Sequence, residues 1–404
     1  MRLRFAFLVS AALCVPASAA DYPALFEATW STVNDNFYDP GFHGVDWKAV
    51  GARYRARLGT VKTDKDFDAL ASAMLDEIGT SHLYIVAPKN SPASGAGIGV
   101  EFRELGGETV VSHVSPLSDA GLRIGDKLLT PRDALVGVVG SEATARVEGC
   151  DGKVRGVSAH RIAAFWPPVH PGFAWSPVKL AAGRSIGYLR IDRFDDGAAA
   201  LADQAMAELK DTNGLIVDIR ANSGGNASAL RLYSYFGSGA APSFALFARP
   251  YLQTLGHPVG KADVLGLPKT VGAYTNEAIF AAVRSGQGAA TFWSQDLGAK
   301  RYTKPVVVLI GEDTGSAAEG FGWSMRTVPG VTFVGRRSAG ALLSADRFDL
   351  PGGWTLTVPV QGIWGPDGVD YRDRALDPDI AVTWTRADLC SGRDPDIAAA
   401  LKLL

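Results

Sequence analysis

Between Tyr22 and about Val86 the apolar residues recur at helical spacing, with Leu25, Phe26, Trp30, Val33 and Phe37 in one stripe and Phe67, Leu70, Met74, Leu75 and Ile78 in another. The spacing predicts a small helical domain over residues 21–89. Gly79 is placed to close its last helix, and Thr80-Ser81-His82-Leu83 follow on a turn or strand. Asn90 to Gly95 is a Pro/Ser/Gly linker, beyond which the period shortens to that of strands such as Gly99-Val-Glu-Phe102 and Thr109-Val-Val-Ser112. A β-rich module over 95–165 is expected, with a short helix within Ala120–Leu129 closed by a glycine turn.

From about Trp175, fully apolar runs alternate with amphipathic segments: Gly214–Ile219, Ala227–Phe236, Pro305–Ile310 and Ser316–Arg326. That alternation argues for an α/β core with buried strands over 175–390, followed by a C-terminal helix over 391–404. The long mixed stretch from Gly237 to Lys304 is expected to cover a cleft rather than build the sheet. The fold class expected is multidomain α+β: a helical N-terminal domain, a β-rich domain and an α/β core.

Hydrophobic residues make up 47% of the 404 positions and charged residues 20%, which excludes disorder as the main theme. The 40 basic and 42 acidic residues nearly cancel, so no strong field recruits nucleic acid. Arg2 and Arg4 precede the apolar run Phe5–Pro16, and Ala17-Ser18-Ala19 follows as a small-x-small site, which makes residues 1–20 a signal peptide and the mature chain exported, periplasmic or extracellular. In that compartment Cys150 and Cys390 could pair, although their spacing alone does not decide it. No Cys-x-x-Cys or His-Glu-x-x-His occurs, so neither metal nor other cofactor is expected.

Two segments carry candidate chemistry. Thr314-Gly-Ser-Ala-Ala-Glu319 follows a buried strand, so Ser316 would stand where that strand enters a helix whose free N–H groups favour a developing oxyanion; a serine N-cap is the structural alternative. Asp218-Ile-Arg-Ala-Asn-Ser-Gly-Gly-Asn226 is a strand end opening into a glycine turn, where Gly224 and Gly225 would let backbone N–H groups approach a carbonyl. The Gly-x-Ser-x-Gly elbow is absent, which disfavours an α/β-hydrolase.

Together with the closing Leu376-Asp-Pro-Asp-Ile380, these segments resemble the tail-specific, or C-terminal-processing, serine peptidases. Gly97-Ile-Gly-Val100 and Ala120-Gly-Leu-x-x-Gly-Asp126 are similar to the peptide-binding loop and helix of a PDZ domain, and the resemblance implies a crotonase-like peptidase core. It implies Ser316 as nucleophile, N–H groups of Gly224 or Gly225 and of Ala317 as the oxyanion hole, and Gly97, Ile98, Gly99 and Val100 as the strand edge that takes an extended peptide, such as a protein C-terminus.

The base follows from what is missing. Many relatives use a lysine downstream of the serine, but no lysine occurs from Pro305 to Leu401, and arginine stays protonated. Gly79-Thr-Ser-His-Leu83 resembles the Ser-His pair of the tricorn-like branch, which implies His82 as general base and Ser81 as its orienting hydroxyl. One departure stands out: where that branch carries an orienting glutamate this chain has Arg372, with Asp370 and Asp373 as substitutes of shorter reach. The expected function is an exported serine endopeptidase acting on proteins or peptides. The alternative, favoured by Arg372, is an inactive peptide- or lipid-binding protein on the same scaffold.

Overall fold

The computed structural model describes residues 21–88, 96–163, 172–180 and 183–404, so the signal-peptide reading of residues 1–20 and the linker at Asn90–Gly95 lie outside the described residues. Three helices, Tyr22–Asn36, Trp47–Arg55 and Asp64–Asp76, open the described chain, and each starts at a side-chain cap: Asp21, Asp46 and Thr63 accept from the N–H groups of Ala24, Ala49 and Asp66. Their apolar stripes are buried through Leu25, Phe26 and Val33 on the first and Phe67, Leu70 and Met74 on the third. They pack not only on one another but on a sheet that is antiparallel except for its last pair, where Phe67 meets the fully buried Trp354 edge-on at 5.2 Å between ring centres.

That sheet has the strand order 84–86, 355–364, 242–248, 289–293, 269–271, with 344–349 also paired to 355–364. Three of its strands, 242–248, 269–271 and 289–293, come from the stretch after Gly237, which therefore builds a sheet as well as facing a cleft. The expectation that this stretch builds no sheet failed because its partners, Thr355–Trp364 above all, are distant in sequence and leave no local signal.

The second sheet runs 380–381, 331–335, 306–310, 214–218, 185–191, 173–179 and is parallel except for its last pair. Its central strands Gly214–Asp218 and Val306–Ile310 are buried at every position, as their unbroken apolar runs require. Helices Ala198–Leu209 and Ala317–Met325 make two of the crossovers. Because Leu309 pairs with Asp218 in parallel, both strands end at the same edge of the sheet. Ligand sites in such sheets form outside the carboxyl ends of the strands.

Residues 96–163 form a third, five-stranded antiparallel sheet, ordered 100–105, 108–114, 127–128, 142–148, 154–160. The helix expected within Ala120–Leu129 is not formed. Gly121 and Gly125 sit at φ 59° and 88°, and the buried Asp126 carboxylate takes the Arg123 N–H at 2.7 Å, so the segment closes as turns into Lys127–Leu128.

The C-terminal segment carries two short helices, Arg386–Ser391 and Pro395–Ala400. The first is joined to the third sheet by a disulfide between Cys390 and Cys150, 240 positions apart. Arg386 reinforces the joint by donating to the carbonyl oxygens of Gly125, Glu148 and Gly149 and to Glu148 Oε1. No described helix is long and apolar enough to cross a membrane.

Candidate active site

The parallel strands bring the two sequence motifs together. After Val306–Ile310 the chain turns through Thr314, whose hydroxyl accepts from Gly311 N–H at 3.0 Å and donates to Ile219 O at 2.9 Å, tying one motif's loop to the other's strand. Gly315 N–H then donates to Asn222 O at 3.0 Å. Ser316 follows at φ 51°, ψ −123°, a backbone conformation that side chains rarely adopt and that persists only where the surroundings impose it. Here they do: Ser316 N–H lies on Ala341 O at 3.0 Å and on Glu319 Oε2 at 3.1 Å, and the helix Ala317–Met325 begins at the next residue.

Glu319 organises this turn, a role that reading the sequence did not assign. Its fully buried carboxylate also accepts from Ser338 Oγ at 2.5 Å and from the N–H groups of Gly340 and Ala341 at 2.6 and 2.7 Å. Burial pushes this carboxyl above the usual range, against the pull of those hydrogen bonds.

The glycine turn lies against the serine. A Cβ on Gly224 would sit 2.5 Å from Ser316 Cβ, and one on Gly225 would sit 1.7 Å from Phe194 O; with φ of 117° and 136°, any other residue is strained at both positions. The two glycines differ in what their N–H groups do. Gly224 N–H donates to the buried Asn222 Oδ1 at 2.8 Å, whereas those of Gly225 and Ala317 have no acceptor among the described residues. Upstream, burial pushes the Asp218 carboxyl up, but the charge of Arg220 and hydrogen bonds from Arg220 and Tyr188 outweigh it and hold it low. Arg220 also pairs with Asp394 and Asp396, so the C-terminal segment braces the strand that delivers the glycine turn.

His82 arrives from the other sheet. It follows Gly79, sits at φ 59°, and precedes strand Tyr84–Val86, which pairs with Thr355–Trp364. Ser81 Oγ lies 3.2 Å from His82 Nδ1, and burial lowers the imidazole pKa from its ordinary 6.5. His82, Ser223, Gly225, Ser316 and Ala317 line one cavity of about 410 Å³.

Behind Ser81 stands a polar cluster. Tyr38 Oη is 3.0 Å from His43 Nε2 and 3.5 Å from Arg372 Nη1, and Arg372 lies 3.6 Å from Asp370 and 4.0 Å from Asp373. Asp373, itself at φ 54°, is near enough to the Ser81 backbone N–H for that group to favour its ionised form. Burial raises the Asp373 carboxyl, opposed by that N–H and by the charges of Arg372 and His43.

Of the peptide-edge residues, Ile98 is buried, Gly99 sits at φ 69° with Ile162 Cδ1 only 2.8 Å from where its Cβ would be, and Val100 begins the edge strand Val100–Leu105; Gly97 bridges to Ile162. On that strand Arg103 lies 4.0 Å from Asp313, on the turn before Ser316, and over the ring of Trp384. Among the described residues, no group of three or more His, Cys, Asp or Glu side chains converges to hold a metal.

A serine at a forced turn thus stands beside two glycines at the carboxyl ends of adjacent parallel strands. The chain belongs to peptidase family S41: residues 185–382 match the profile of Peptidase family S41, and residues 18–76 match that of the Tricorn protease C1 domain. It is 25% identical to a putative tricorn protease homolog 2 of Streptomyces coelicolor over 95% of its own length and 32% of that protein's. It is 24% identical to the chloroplastic C-terminal processing peptidase of Tetradesmus obliquus, over 91% of this chain and 79% of the relative. The structure of a photosystem II D1 C-terminal processing protease shares the fold, with a TM-score of 0.54 at 20% identity, covering 90% of this chain and 93% of that one. The chain thus spans about a third of the tricorn homologue it matches and most of the C-terminal processing peptidase.

Proposed function

We propose that this chain is an exported serine endopeptidase that hydrolyses peptide bonds in proteins or peptides by a Ser-His mechanism. Ser316 Oγ attacks the scissile carbonyl while His82 Nε2 takes its proton, and the tetrahedral oxyanion is held by the N–H groups of Gly225 and Ala317. Collapse of the intermediate expels the amine, which takes the proton from His82, and water then hydrolyses the acyl-enzyme by the same steps in reverse. Donation from Nδ1 to Ser81 Oγ fixes the tautomer that leaves Nε2 free to accept.

In place of the glutamate that Arg372 displaces, Asp373 steadies the Ser81–His82 turn through the Ser81 backbone, with Arg372 holding Asp373 rather than replacing it. The observation that carries the reading is the forced backbone of Ser316, which shares one cavity with His82 and with the unused N–H groups of Gly225 and Ala317. The sheet of residues 96–163 serves as the PDZ-like module, and an extended peptide adds along Gly97, Ile98, Gly99 and Val100.

The test is hydrolysis of an unfolded protein substrate by the mature chain beside Ser316→Ala and His82→Ala. Loss of orders of magnitude in both variants supports the mechanism; equal turnover by all three sinks it.

A further inference from the structure

The cavity beside Ser316 is walled by polar and apolar groups in equal measure, with Leu230, Phe244, Ile279 and Leu342 among the apolar ones, and Arg193 is the sole residue of its lining with a permanently charged side chain. Arg193 has no hydrogen bond or ion pair among the described residues, although the chain offers acids close by. Asp192 is taken by Arg190 at 2.8 Å, Asp196 accepts from Asn226 Nδ2 at 2.5 Å, and Asp195 accepts the Gly197 N–H at 3.1 Å.

The backbone beside it is fixed to the oxyanion side of the site. Phe194 N–H donates to Gly224 O at 2.9 Å, and Asn226 N–H donates to Phe194 O at 2.7 Å. A guanidinium with five donors and no acceptor among the described residues, mounted next to the glycine turn and lining the same cavity as Ser316 and several apolar side chains, is a receptor for a planar anion. A peptide offers one such anion, the carboxylate.

We propose, resting on the peptidase reading above, that Arg193 binds a substrate carboxylate close to the scissile bond, so that the site selects peptides pairing an apolar side chain with a nearby acid. That acid is either the α-carboxylate of a chain end or the side chain of Asp or Glu. Arg193 is a specificity residue and takes no part in the proton transfers.

Binding tests this without requiring turnover. In the Ser316→Ala protein, fluorescein-labelled peptides made from a cleavage site mapped on unfolded casein, or from casein's own sequence if none is cut, are compared by anisotropy in three forms. One carries Glu and a free C-terminus, one carries Gln in its place, and one ends in an amide. The expected result is about a tenfold weaker Kd on loss of whichever carboxylate is read, and a discrimination near one once Arg193→Met is added.

The form that weakens binding identifies the source. Equal binding of all three peptides, no binding of any, or discrimination that survives Arg193→Met would each overturn the proposal. Failure of the peptidase reading shows separately, as absence of casein cleavage and of fluorophosphonate labelling in the protein with Ser316 intact. Because the Arg193 side chain is exposed and unbonded, the fold of the variant is expected to be unchanged.

Discussion

Glu319 and Ser316 lie one helical turn apart, and the buried carboxylate of the first holds the backbone N–H of the second at 3.1 Å. The same carboxylate binds Ser338, Gly340 and Ala341, so one side chain sets the geometry of the serine turn and of the loop that crosses it.

Replacing Glu319 by Gln keeps the shape but turns an NH2 group toward donors that need an acceptor. A loss of about 2–3 kcal/mol is expected from such a buried mismatch, together with a fall in kcat larger than any change in KM as Ser316 leaves its forced conformation. Thermal unfolding and steady-state kinetics check both; an unchanged kcat would refute the positioning role.

The two glycines separate on substitution. Gly224→Ala drives a methyl into Ser316 Cβ and is expected to lower kcat by about 10²–10³ with the fold retained by circular dichroism. Gly225→Ala meets the Phe194 backbone at 1.7 Å and is expected to fail to fold around the turn, seen as loss of soluble protein.

The pH profile follows from the burial of His82. A base must be neutral, and its pKa is lowered from 6.5, so the acid limb of kcat/KM is expected to have its midpoint below 6.5. The same shift makes His82 a source of stability that is fully present above pH 6.5 and declines as pH falls through that value toward the lower folded pKa. An acid limb centred above 6.5 would mean that another group is the base.

Asp373→Asn keeps a hydrogen-bond acceptor for Ser81 but removes the charge facing Arg372, while Asp373→Ala removes both. If Asp373 steadies the Ser81–His82 turn, the alanine variant loses about tenfold to a hundredfold in kcat and the asparagine variant recovers most of it. Equal losses in the two would point to charge rather than to positioning.

Much of the fold was legible because its signals are local. The stripes ending at Phe37 and Ile78 are the buried faces of real helices, and the unbroken apolar runs at 214–218 and 306–310 are the central parallel strands. Ser316 and the glycine turn could be located because each follows such a strand.

What escaped was set by distant partners. Pro242–Ala248 gives no hint that it lies between Ala289–Trp293 and Thr355–Trp364. The Glu319 carboxylate gathers donors from residues 338–341, and Gly224 rather than Gly225 spends its N–H on Asn222, facts that no spacing reveals. Arg193 belongs to no motif and is noticed only once the cavity exists.

The bond between Cys150 and Cys390 has a consequence for the lifetime of the molecule. It turns the intervening chain, which holds both the glycine turn and Ser316, into a covalent ring. A chain exposed to peptidases is nicked first at exposed surface segments. A single cut between those two cysteines opens the ring without releasing either half, and both new ends stay attached to a packed body. Oxidised protein should therefore run as one species after limited digestion and as two fragments only once reducing agent is added.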